Sequence, residues 1–120
     1  MTALTHIAIN ATLFQLAATL ERYEEYLRHL LANPFNTEII RRASLALDGI
    51  QRFSAKLPGM SVPAVALRLS HATLMRALAR RVDGLRSRAD SGLDSAWAEL
   101  RSRIDDLHGR SLKPLLKSQR

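Results

Sequence analysis

Four histidines, fifteen arginines and eleven acidic residues make up most of what could do chemistry in this 120-residue chain. Glu25 and His29 stand four apart and Asp105 and His108 three apart, so on a helix each pair would share a face. Such pairs are the raw material of a carboxylate–histidine metal site. A di-iron bundle needs about four carboxylates and two histidines converging inside, and the middle of this chain supplies no inward carboxylates. The two pairs are therefore expected to be surface ion pairs. His71 falls on an apolar seam, where a hydrogen-bonded core histidine is the expectation. Met75, one turn further along the same helix, could not bind a haem from the opposite side. No metal, haem or other cofactor is expected. There is no cysteine, which excludes thiol catalysis, disulfides and thiolate metal sites.

The densest chemistry is "RALARRVDGLRSR", with Arg76, Arg80, Arg81, Arg86 and Arg88 in thirteen residues. On a helical wheel of about 100° per residue these arginines spread over the whole arc away from the apolar seam. Asp83 lies three residues from both Arg80 and Arg86, within reach of either. Tyr23, Tyr26 and Trp97 do not interleave with them, so the stacking aromatics of many nucleic-acid modules are missing. The stretch is expected to be a solvated helix face. The alternative is an accessory nucleic-acid contact made by the same five residues, and nothing else in the chain is as dense. Residues 1–40 carry Glu21, Glu24, Glu25 and Glu38 against Arg22 and Arg28, and the other eighty carry sixteen basic and seven acidic side chains. Arginine outnumbers lysine fifteen to three, the bias of a GC-rich bacterial genome, and this inflates the charge without any selection for phosphate.

"RSRIDDLHGR" places Arg103 four intervening residues before His108. The spacing resembles the Arg-x4–6-His motif of the HEPN-type ribonucleases, which are also helical bundles. The resemblance would imply RNA cleavage by Arg and His paired between two subunits. Arg22/His29 and Arg101/His108 fit the same loose pattern, as an arginine-rich chain does by chance. The stretch from Leu100 to Arg120 is also similar to the first helix of the all-helical chorismate mutases. In that family further catalytic helices follow it, whereas here it comes last, so the activity is not expected. Neither a Ser-His-Asp order nor a glycine-rich phosphate loop appears, so no enzyme and no small-molecule substrate is expected.

The elements that would position these residues are legible from period and punctuation. Ile9, Leu13, Leu16, Leu20, Tyr23, Leu27 and Leu30 alternate spacings of four and three, a heptad seam that predicts a helix over 3–32. "NPFN" follows, and Ile39, Ala43, Ala46, Ile50, Phe53 and Leu57 predict a second helix over 36–56. "LPGMSVP" is a turn, with Ser61 as cap. Leu67, His71, Leu74, Leu78, Val82 and Leu85 predict a third helix over 62–89, weakened by Gly84. Ser91 and Asp94 could cap a fourth over 92–108, with Trp97 in its seam and Gly109 ending it. The expectation is an all-α, antiparallel up-and-down four-helix bundle over 1–110 with a frayed basic tail over 111–120.

Residues 1–20 contain no Asp, Glu, Lys or Arg. A signal peptide needs a basic start and a membrane span about twenty mostly apolar residues. Thr5, His6, Asn10, Thr12, Gln15 and Thr19 interrupt this stretch too often, so a cytoplasmic protein is expected. Leu4, Ile7, Ala11, Phe14 and Ala18 form a second stripe, read as adjoining the main seam. A helix with no charge on any side needs more cover than its own bundle gives. The expected partner surface is Leu4, Ile7, Ala11 and Phe14 with Leu13, Leu16 and Leu20, meeting a second copy or another helical protein. The functional expectation is a bacterial interaction module: an adaptor, chaperone or regulatory subunit.

Overall fold

The computed structural model describes the backbone of residues 3–83 and 92–118, and the side chains of 7–81 and 92–116. Four helices follow one another: α1 (Ala3–Ala32), α2 (Thr37–Ala55), α3 (Ser61–Asp83) and α4 (Leu93–Ser118). Each packs on its neighbours in sequence, and α1 also packs on α4, which closes the ring of an up-and-down bundle.

The punctuation works much as the residues suggest. Asn33 ends α1, its N–H donating to the carbonyls of His29 at 3.0 Å and Leu30 at 3.1 Å. Asn36 caps α2, its side-chain oxygen accepting from the Ile39 N–H at 3.1 Å. Glu38 in the first turn is held to Arg41 at 2.7 Å and Arg42 at 3.1 Å. These bonds, Arg41's first and then Arg42's, pull its carboxyl down to about 2. Gly59, with φ of 75°, makes the turn into α3 that other residues enter only under strain. Gly92, with φ of 72°, starts α4; Ser91, the expected cap, lies outside the described residues, as do Gly84, Leu85, Arg86 and Arg88.

Every heptad position of α1 from Leu13 to Leu30 is buried, and Leu16, Leu20, Tyr23, Leu27 and Leu30 are at 0 % exposure. They meet Ile50 of α2, Leu67 and Leu74 of α3, and Leu100 and Leu107 of α4 in one core.

Two expectations about α4 are corrected. The tail is not frayed at 111: the helix runs through Gly109 and Pro114 to Ser118. Glycine costs about 1 kcal/mol in a helix interior and proline about 3 kcal/mol, but tertiary packing overrides both. Ser111 is fully buried, donating to the His108 carbonyl at 2.8 Å, and Leu115 packs against the core. Trp97 does not sit at the centre of the seam. The small Ala96 holds that place, and the half-buried indole lies beside Leu31 and Pro34, over the α1–α2 turn. A bundle core four helices wide has no room for an indole at the position where alanine fits. The third helix is described only to Asp83, short of the expected 89.

The bundle is not flush at both ends. Tyr23 of α1 and His71 of α3 lie side by side, with Tyr23 Oη 2.6 Å from His71 Nδ1. α1 begins twenty residues before Tyr23, but α3 begins only ten before His71. At 1.5 Å per residue the first ten residues of α1 therefore reach about 15 Å beyond the start of α3. The last turns of α4 accompany them, and the molecule measures 60 × 24 × 21 Å.

Candidate functional site

The N-terminal part of α1 is where the sequence expects a partner, and the structure divides the expected residues into two groups. Leu13, Leu16 and Leu20 are 3 %, 0 % and 0 % exposed inside their own bundle, so no partner can meet them. Ile7 and Phe14 are 63 % and 69 % exposed, and Ala11 is exposed between them. Leu4 lies in the helix with its side chain outside the described set. The stripe was expected to adjoin the main seam. Counted at about 100° per residue, Ile7 and Phe14 instead lie nearly opposite it. The helix thus has one apolar face consumed by the core and a second, uncharged one facing outward.

A further outward stripe was not anticipated. Val62, Val65 and Leu69 of α3 are 80 %, 54 % and 65 % exposed, and Ala72 continues the line. The signal was in the sequence: positions 62, 65, 69 and 72 repeat the three-four spacing of the core seam, displaced onto the other side of the helix. The stronger 67–78 seam masked it.

The residues with catalytic spacing do not converge. Glu25 and His29 face each other at 3.9 Å on the surface of α1. His108 Nε2 lies 3.4 Å from Glu21 of α1, without good hydrogen-bond geometry. Arg103 pairs with Glu99 at 3.7 Å, about 140° around the helix from His108. Arg101 reaches Glu24 at 3.8 Å. These are ion pairs of the kind that each contribute about 0–1 kcal/mol when exposed. Among the described residues no group of three or more His, Cys, Asp or Glu could hold a metal. Arg22 and His29, the third pair with ribonuclease-like spacing, do share a face, and both line a cavity between α1 and α2.

His71 behaves as the seam position suggests. Tyr23 Oη is its partner, and burial first, then the charge of Arg68, holds its pKa below the ordinary value. Burial also pushes the Tyr23 hydroxyl well up, so it stays protonated, and the His71 tautomer sets which of the two groups donates. The pair ties the Tyr23 position of the core to α3.

Arg76, Arg80 and Arg81 are exposed on the last turns of α3, and Arg76 Nη2 lies 3.4 Å from the Thr73 hydroxyl. Arg81 borders the cavity beside Trp97 and Asp94. No helix is long and apolar enough to cross a membrane, among the described residues. No protein-family model matches the chain, and no curated protein and no solved structure is significantly similar to it.

Proposed function

We propose that the chain is a non-enzymatic helical interaction module that pairs with a second copy of itself through the outward face of α1 around Ile7, Ala11 and Phe14. The observation that carries this reading is the exposure of Ile7 and Phe14 on one outward face of α1, within residues 1–20, which contain no Asp, Glu, Lys or Arg. Large exposed apolar groups on such a face point to an interface. An uncharged face is best covered by another uncharged face, because a charged one would lose its hydration without gaining a partner. The same stripe on a second copy supplies such a face. Two-fold pairing of identical patches is the commonest way such a contact closes. Pairing of this kind suits an adaptor, chaperone or regulatory subunit, whose work is to hold other chains.

Sedimentation tests it. The protomer mass is 13.4 kDa, and the wild-type chain should sediment at twice that at micromolar concentration. Phe14→Glu should return it to one protomer without loss of helicity, while Leu69→Glu on α3 should leave the dimer intact. A wild-type monomer, or a dimer indifferent to Phe14→Glu, sinks the reading.

A second reading rests on Arg76, Arg80 and Arg81, exposed and without a carboxylate partner among the described residues. If they are a solvated face, duplex binding at about 150 mM salt should be weak and indifferent to sequence, near 10⁻⁴ to 10⁻⁶ M. Sub-micromolar binding, lost when these three are reversed to Glu but kept when Arg41 is, would establish a nucleic-acid contact instead.

A further inference from the structure

Along the outer side of α1 and α2 runs a groove made of two cavities of about 300 and 400 Å³ that share Arg22, Tyr26 and Arg42. Pockets of this size are in the range that takes small molecules. Three guanidinium groups, Arg22, Arg42 and Arg52, line the groove, and no carboxylate lines the smaller cavity that contains all three. Arg42 is shared with Glu38 at 3.1 Å, whereas Arg22 and Arg52 have no ion pair among the described residues. The aromatic rings of Tyr26 and Phe53 stand on opposite helices of the same cavity.

The floor is apolar. Thr19 gives its hydroxyl to the Gln15 carbonyl at 2.7 Å, leaving its methyl toward Gly49. Gly49 is buried in the middle of α2 with no positive φ, and a Cβ there would sit 3.6 Å from that methyl, an ordinary contact. Packing thus does not demand glycine, although alanine would favour the helix by about 1 kcal/mol. What glycine does is keep the groove open.

We infer that this groove binds a small aromatic molecule with a dianionic phosphate head, of mononucleotide size. Guanidinium groups match phosphate oxygens in pairs and carry more charge here than a lone carboxylate would need. The two rings and the apolar floor would hold a flat body. None of Ile7, Ala11 and Phe14 lines either cavity, so the groove is tested separately from the pairing of α1.

Calorimetric titration with adenosine 5′-monophosphate, beside adenosine and inorganic phosphate, tests it. The nucleotide should bind at least about tenfold more tightly than either fragment, because head and body are both held. Arg22→Ala with Arg52→Ala should weaken it by about tenfold or more, and both side chains are exposed, so the fold survives. Gly49→Leu should abolish binding by filling the floor. Arg68→Ala and Arg110→Ala, which remove the same charge elsewhere, should leave affinity unchanged. The inference is overturned if the nucleotide binds no better than phosphate, if the Arg22/Arg52 variant binds normally, or if the control variants lose as much.

Discussion

Replacing Leu67 by Ala will destabilise the protein by about 2–5 kcal/mol, the usual loss for a buried leucine, while Leu69→Ala will change stability by less than about 0.5 kcal/mol. The two leucines are neighbours but one on α3, at 0 % and 65 % exposure. Leu67 meets the core that α1 and α4 also build, and removing its branch leaves a cavity that four packed helices cannot close. Leu69 has water on most sides in a single copy, so its truncation removes little contact. Urea unfolding of the two variants checks this, with the midpoint moving for one and the slope for neither. Equal losses would mean that α3 is rotated from the orientation described, or that Leu69 is covered in the protein as it exists in solution.

Acid will weaken the fold through His71 before the carboxylates begin to titrate. Burial and Arg68 hold the folded His71 pKa below the ordinary value of 6.5, so the unfolded chain binds the proton more readily than the folded one. Stability is therefore full above the unfolded value and is lost as pH falls from there through the folded pKa. The slope for one proton is at most about 1.4 kcal/mol per pH unit. Stability measured from pH 7.5 down to 5 should decline in the wild type and stay nearly flat in His71→Gln, whose side chain can still accept from Tyr23 but cannot take up a proton. An unchanged decline in His71→Gln would assign the acid sensitivity elsewhere. Tyr23→Phe should cost about 1–3 kcal/mol at neutral pH, because it leaves His71 Nδ1 without its partner.

Much of the architecture was legible in one sequence because heptad spacing and turn residues agree. Leu13 to Leu30 is a seam in sequence and in space, and Asn36 and Gly59 punctuate where their chemistry says they should. The far end of α4 was not legible. Gly109 and Pro114 are local stop signals, and only the burial of Ser111 and the packing of Leu115 show why the helix ignores them. Position 97 failed for a related reason: spacing cannot say which of two adjacent apolar residues the core has room for. The candidate sites were less legible still. A stripe of outward apolar residues reads like a core stripe until something shows which side the neighbours occupy, although the place of Ile7 and Phe14 opposite the seam follows from counting about 100° per residue alone. The α1–α2 groove depends on two helices brought together, and only the helix-interior Gly49 hinted at it.

The contact between Tyr23 and His71 also sets the alignment of the bundle. A row of leucines repeating every seven residues is nearly indifferent to sliding by one repeat, since each side chain then meets another of its kind. Tyr23 and His71 are the exception in that row. They reach across the ring between helices that are not neighbours in sequence, and their 2.6 Å bond exists in only one arrangement. A slip of seven residues would set the Tyr23 hydroxyl against Leu78 or Ala64, neither of which can accept from it. The pair thus acts as a key, distinguishing the one correct vertical match of α1 and α3 from its apolar near-equivalents. The overhang of α1 is a consequence of that match.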